Sequence, residues 1–364
     1  LLEHKGASIS AHVRENGTII WAECLKDSLS EVYKLFSQII LDPIFPTEDM
    51  ERIRRQKLTD LSRIPDDANA IASRASKALL YGLESPLGHP SYGTVDSVTN
   101  ITRNDLISCH KTLFGPEGSI LLLAGDFNMD HMLSMSEELF GNWEPQSVKH
   151  ENNNSHLIND HIKGKIHLIN KPEAPQSVIM VGQTLVKRSD PDYLPLTIFN
   201  QVLGGEFSSR LNSNLRQDKG YSYGYMSSIK WLNGPSPFFA GGAVQTETFK
   251  ELSDISNNNP VAETEFEDAV NNVLRGLPSN FETISQLIDQ MSNIALYGLP
   301  DDYYSLYPEE ISKVKIEDVQ RVAQKHMDSD PDLILVVGDK VKLDSKLQDL
   351  GYEIVDTDSE GRPL

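Results

Sequence analysis

Hydrophobic and polar positions follow two rhythms along this chain, and the switches between them predict its elements. Gly6 to His12 and Thr18 to Cys24 flank Asn16-Gly17, so they read as two strands of a hairpin. From Asp27 to Leu41 the period lengthens. Leu29, Val32, Leu35, Phe36, Ile39 and Ile40 then fall on one face of an amphipathic helix, which Pro43 and Pro46 end. Thr47-Glu48-Asp49-Met50 reads as the capped start of a second helix running to about Ile64. Pro65-Asp66-Asp67 breaks it, and a third helix follows from Ala68 to Tyr81. After a Pro/Gly loop from Ser85 to Thr94, Thr102-Arg-Asn-Asp105 starts another helix. Ser119 to Asp126 is apolar throughout until its closing turn, as a buried strand would be. Met129 to Phe140 is again helical.

Gln146 to Lys165 is polar, carries a run of three asparagines, and reads as a linker. Strand patterns resume at Ile166 to Asn170 and Ser177 to Gln183. An apolar helix through Leu194, Ile198 and Val202 meets Gly204-Gly205, where a tight turn or close backbone approach needs glycine. Ser208 to Leu215 predicts a short helix with Leu211 and Leu215 on one face. Gly220 stops it, and Tyr221 to Tyr225 alternate with small residues as a strand does.

An internal repeat organises these elements. Leu80-Tyr-Gly82 recurs as Leu296-Tyr-Gly298, an offset of 216 residues, with Glu51, Leu58 and Leu61 matched by Glu267, Leu274 and Leu277. Further on the offset is 213: Asp105 answers to Asp318, and Leu-Ala-Gly-Asp126 to Val-Val-Gly-Asp339. One length change in an otherwise constant offset predicts an α+β chain of two homologous α/β domains. Each is expected to be a mostly antiparallel sheet with helices packed on one face. The divisions predicted are 1–150, a linker at 151–165, and 166–364. The first copy is shorter and is expected to lack its opening strands and a helix.

Composition narrows the function. The 364 residues are 39% hydrophobic and 24% charged, as in chains that bury a core. A formal charge of −20 argues against nucleic acid or an anionic membrane surface as partner, and favours basic peptides. No run approaches the 18 or so apolar residues of a membrane span. Two cysteines, Cys24 and Cys109, make neither a disulfide framework nor a metal motif. Ser208, Ser209 and Ser213 lack a nucleophile-elbow context, and no glycine-rich phosphate loop follows Gly125-Asp126 or Gly338-Asp339.

The densest stretch is Leu203-Gly-Gly-Glu-Phe-Ser-Ser-Arg-Leu-Asn-Ser-Asn-Leu-Arg-Gln-Asp-Lys-Gly-Tyr-Ser-Tyr223. Taken alone it is a helix–loop–strand corner with a solvated Arg and a packed Tyr. Its Gly-Gly, Ser-Arg-Leu and Leu-Arg-x-x-x-Gly-x-x-Tyr elements resemble the C-terminal domain of pitrilysin/insulinase-type zinc metallopeptidases, the inverzincins. That resemblance, which extends over nearly the whole chain, implies duplicated α/β domains. It gives Arg216 and Tyr223 the role of facing a zinc site and stabilising the tetrahedral intermediate. By the same resemblance Gly204, Gly205, Ser209 and Arg210 line the substrate.

Zinc is the expected cofactor of that family, held by His-x-x-Glu-His on one helix and a Glu from a later helix. None of the ten histidines here forms an i, i+4 pair. Glu3-His4 is read as the end of the helix before Gly6. The third-ligand position falls at or beside Asp60, one methylene shorter than Glu and expected to be a solvated helix residue. The chain alone is therefore expected not to bind zinc. Its expected partners are a peptide or unfolded polypeptide and a zinc-bearing homologous subunit. A fragment of an active zinc endopeptidase and a structural core-type subunit remain the alternatives. Family members occur in bacterial envelopes and in mitochondria, which leaves the compartment open.

Overall fold

In the computed structural model, residues 2–144, 160–214, 224–244, 259–327 and 331–364 are described. The chain opens with a hairpin, β1 (Ser8–Arg14) and β2 (Gly17–Glu23), paired antiparallel with Arg14 opposite Gly17. The two loop residues are thus Glu15 and Asn16, and Gly17 already belongs to β2. Helices α1 (Leu29–Leu41), α2 (Thr47–Arg63), α3 (Ala68–Tyr81), α4 (Val95–Asn100), α5 (Arg103–Leu113) and α6 (Met129–Phe140) follow. Strands β3 (Lys165–Asn170) and β4 (Ser177–Leu185) lead to α7 (Tyr193–Asn200), then β5 (Met226–Ile229) and β6 (Ser236–Val244). Last come α8 (Glu263–Gly276), α9 (Ile284–Tyr297), α10 (Tyr303–Lys313), α11 (Ile316–His326), β7 (Leu333–Gly338), α12 (Lys340–Gln348) and β8 (Glu353–Asp356).

Helix starts are set by local chemistry. Asp67, Thr94, Thr102, Asn128, Thr283 and Asp339 each accept a backbone N–H of the first turn that would otherwise lack a partner. At Thr94, Thr102 and Thr283 the third residue on returns the bond, completing a capping box. The repeat reappears in these bounds. α3 and α9 begin and end 216 residues apart (284 − 68 and 297 − 81), and α5 and α11 begin and end 213 apart (316 − 103 and 326 − 113).

The chain divides into two units that interleave along the sequence. One comprises residues 1–59, 94–152 and 279–299; the other comprises 60–93, 153–278 and 300–364. Each therefore owns a helix from the opposite half of the sequence: α9 lies in the first unit and α3 in the second. The second unit holds a six-stranded mixed sheet in the order β5-β6-β4-β7-β3-β8. The pairs from β5 through β7 are antiparallel, and β3 lies parallel to both β7 and β8. One sheet face packs Ile166, Leu168, Ile179, Ile334 and Val336 against α7, α8, α10 and α11. The other face, through Ile169, Val178, Leu333, Leu335 and Val337, is covered by Ile71, Ala72, Ala75 and Leu79 of α3. β7 is buried along its whole length, as a strand covered on both faces must be.

The first unit has a smaller core, in which Tyr33, Phe36 and Ile40 of α1 pack on Met132 and Met135 of α6, with Ile9, Ile20 and Leu123 alongside. Here the sequence expectation of a buried strand at Ser119–Asp126 is corrected. The counterpart of this run, β7, is held between β4 and β3. Ser119 to Ala124 has no ladder partner among the described residues and forms no strand, and Ile120 and Leu121 are 62% and 44% exposed. Apolar content makes a strand only where a neighbouring strand takes up its N–H and C=O groups.

Candidate functional site

The candidate site grows from α7, whose buried Leu196, Ile198 and Phe199 root it in the core of the second unit. Instead of turning sharply, the chain passes from α7 into a π-helix, Gln201–Gly205. The two glycines explain the change of pitch. A Cβ on Gly204 would lie 2.6 Å from the backbone N of Ser227 in β5, and one on Gly205 would lie 2.8 Å from Asn200 Nδ2 and 2.9 Å from its carbonyl. Ser227 Oγ and Asn200 Oδ1 are 2.9 Å apart and stitch the turn to the strand. Bare backbone at Gly204 lets a helix end and a strand touch, and π-bulges of this kind recur at functional sites.

The next residues are woven together. Ser209 N–H donates to Glu206 O (3.1 Å), Ser213 N–H to Ser209 O (2.9 Å), and Asn212 Nδ2 to Phe207 O (2.6 Å). Within the helix expected over Ser208–Leu215, Arg210–Asn212 is α-helical and the next two residues continue as a π-helix; Leu215 lies outside the described residues. Arg210 Nε donates to Glu265 Oε1 (2.7 Å) and Nη2 to Glu265 Oε2. Its Nη1 donates to Asn259 O (2.7 Å) and its Nη2 also to Pro260 O (2.9 Å). Glu265 in turn accepts the N–H of Ala262 at the start of α8 (2.9 Å). Burial pushes the Glu265 carboxyl up, but these bonds from Arg210 and Ala262 outweigh it and hold the group below its ordinary range.

Tyr225, just before β5, is fully buried. Its hydroxyl lies 3.2 Å from Ala240 O and 3.4 Å from Ile179 O, and burial raises its pKa. Gly242 makes room for it: a Cβ there would sit 3.2 Å from the Tyr225 ring and 3.3 Å from its Cα. β5 begins at Met226; the strand predicted over Tyr221–Tyr225 falls, as far as Tyr223, outside the described residues. Arg216 and Tyr223 lie outside the described residues.

Five buried side-chain polar atoms among the described residues have no hydrogen-bond partner, and three of them, Gln201 Oε1, Ser209 Oγ and Asn214 Oδ1, fall in this one run. Buried polar atoms are ordinarily paired, so the concentration marks the run as special. Sequence reading missed Glu265 and Tyr225. The partners of Arg210 stand 49 to 55 residues away, and no local signal links them.

Asp60 is exposed on α2. No group of three or more His, Cys, Asp or Glu side chains among the described residues could hold a metal ion. The described residues therefore do not fit a zinc ion. No helix of the described residues is long and apolar enough to cross a membrane.

Comparison with known proteins agrees with this geometry. Residues 100–273 match the family model of the peptidase M16 inactive domain. An uncharacterised zinc protease of Mycobacterium leprae is 26% identical over 62% of this chain and 50% of its own length. The non-peptidase homologue YmxG of Helicobacter pylori is 23% identical over 94% of this chain and 80% of its own. A probable mitochondrial-processing peptidase subunit beta of Schizosaccharomyces pombe is 20% identical over 59% and 49%. The chain thus spans about half the length of the first and third of these relatives. A crystal structure of a peptidase M16 inactive domain from Pseudomonas fluorescens superposes with a TM-score of 0.82 at 23% identity, covering 93% of this chain and 82% of that one. The resemblance to the pitrilysin/insulinase-type family is borne out, and so is the α+β fold.

Proposed function

We propose that this chain is the peptide-handling, non-zinc half of a pitrilysin-type peptidase. It would supply Arg216 and Tyr223 to a zinc site on a homologous domain or subunit. The observation that carries the reading is the run from Gln201 to Asn214, a glycine-dependent π-turn laid against β5 with three unpartnered buried polar atoms. The two amide oxygens suit the N–H groups, and the Ser209 hydroxyl a C=O group, of an extended peptide, which would add to a sheet edge by main-chain hydrogen bonds. Gly204, Gly205 and Ser209 would line that peptide. Arg216 and Tyr223 would donate to the oxyanion that develops on the scissile carbonyl, where preorganised donors act most strongly. The −20 charge favours basic substrates through long-range attraction.

The test is turnover of a fluorogenic basic peptide by the chain assembled with a zinc-bearing homologous subunit. Arg216→Ala is expected to lower kcat by about 10²–10³ with the assembly intact. An unchanged rate would remove Arg216 from the site and favour the structural-subunit alternative, which the name of the Helicobacter non-peptidase homologue keeps in view.

A further inference from the structure

We propose that the first unit is a strand acceptor. It takes up one extended apolar strand, donated by a separate polypeptide, between β2 and the run Ser119–Ala124. The internal repeat supplies the template. In the second unit β4 lies between β6 and β7 and is antiparallel to both. Ile120 and Leu121 answer to Leu333 and Ile334 of β7 at the offset of 213 (333 − 120 and 334 − 121). Those two β7 residues stand opposite Gly182 and Val181 of β4 and are buried, whereas Ile120 and Leu121 are open to solvent.

A helix frames the same place. α3 covers the second unit's sheet face that carries Val178 of β4 and Leu333 of β7. At its end the Tyr81 hydroxyl donates to Pro235 O, just before β6 (3.1 Å). α9, the repeat counterpart of α3, spans the matching points of the first unit. A Cβ on Gly17, at the start of β2, would lie 2.9 Å from Leu296 Cδ2 in the last turn of α9. One on Gly125, just past the run, would lie 4.0 Å from Ile284 Cδ1 in the first turn. Leu287 of α9 answers to Ile71 of α3 (287 − 71). Ile71 is 4% exposed in the cluster with Val178, and Leu287 is 38% exposed. Three apolar side chains are thus open where their counterparts are sealed around β4.

The occupant's chemistry follows from β4, nine residues long and rich in apolar and β-branched side chains. β2 pairs only with β1, so its second edge and the backbone of the run both offer N–H and C=O groups to a strand laid between them. A helix would leave both rows unmatched, and a charged strand would meet apolar side chains on its faces. Every other described strand already belongs to the second unit's sheet, and the exposure of Ile120 and Leu121 gives an incoming chain its way in.

The experiment titrates the full chain with a fluorescent synthetic peptide of the sequence Ser177–Leu185, flanked by lysines for solubility. Anisotropy reads affinity, and hydrogen exchange with mass spectrometry reads which amides become protected. The expected result is saturable one-to-one binding, with new protection on β2 and residues 119–124. Met180→Pro with Val181→Pro in the peptide removes one main-chain donor towards each neighbour and is expected to weaken binding at least about 10-fold. Leu121→Pro in the protein should weaken it about 10-fold by removing a donor of the run. Ile120→Asp, at a more exposed position, should do the same with the Tm of wild type, which separates lost docking from lost folding. No saturable binding, equal binding of the proline peptide, or wild-type affinity in both protein variants overturns the inference. Protection that appears instead on β5 or β8, the outer strands of the second unit's sheet, overturns it as well, as does full protection of residues 119–124 before any peptide is added.

Discussion

Asp192 is a buried carboxylate that gathers three basic side chains. Its side chain is 6% exposed, and Arg321, Lys325 and His326 from the last turns of α11 reach it, each at 2.8 Å. Burial works to raise its pKa, but the hydrogen bonds and charges of these partners outweigh burial and hold it well below the usual carboxylate range. A folded pKa below the unfolded value of about 3.9 means stability that is present above that pH and lost as pH falls below it. Asp192→Asn should therefore cost about 2–3 kcal/mol at pH 7. Urea melts at pH 7 and pH 3 should show the gap to wild type narrowing at the lower pH. A gap independent of pH would mean that packing of α7 on α11, rather than charge, accounts for the loss.

At the level of elements, two glycines of the second unit behave oppositely. Gly204 sits in a π-turn where any Cβ meets the backbone of Ser227, whereas a Cβ on Gly276, at the end of α8, meets nothing within 4 Å. Gly204→Ala is expected to destabilise by about 1–3 kcal/mol through overpacking. Gly276→Ala should be neutral, or stabilise by up to about 1 kcal/mol through helix propensity. Chemical denaturation of the two variants checks the pair, and equal effects would refute the π-turn argument. Helices are the elements that sequence predicts best here. α3 occupies Ala68–Tyr81, the predicted bounds, because an Asp67 cap and an apolar stripe are both local. Neither the fate of the run Ser119–Ala124 nor the π-helix at Gln201–Gly205 was legible. Both depend on partners far away in sequence.

For the molecule as a whole, the duplicated chain has no described cluster suited to a metal, although several relatives are named zinc proteases. Elemental analysis after exhaustive dialysis is expected to find well under one zinc per chain. Stoichiometric zinc would overturn the half-site reading and return attention to Asp60, His4 and the residues near them. The two units also account for an organisation that length alone hides, since each draws a helix from the opposite half of the sequence.

Periodicity, caps and a repeat offset of 216 and 213 residues were enough, from the sequence alone, to determine most of the helices and the α+β class, and to single out the stretch proposed as the site. These are signals carried by neighbours within a turn or two, or by the chain's likeness to itself. Tertiary structure alone decided that α3 covers the sheet of the second unit, that an apolar run in the first unit forms no strand, and that Gly204-Gly205 close a π-helix. It alone turned Arg210 inward, onto Glu265. Each of these depends on which distant backbone or charge arrives to satisfy a hydrogen-bonding group, and chain-local chemistry holds no record of that.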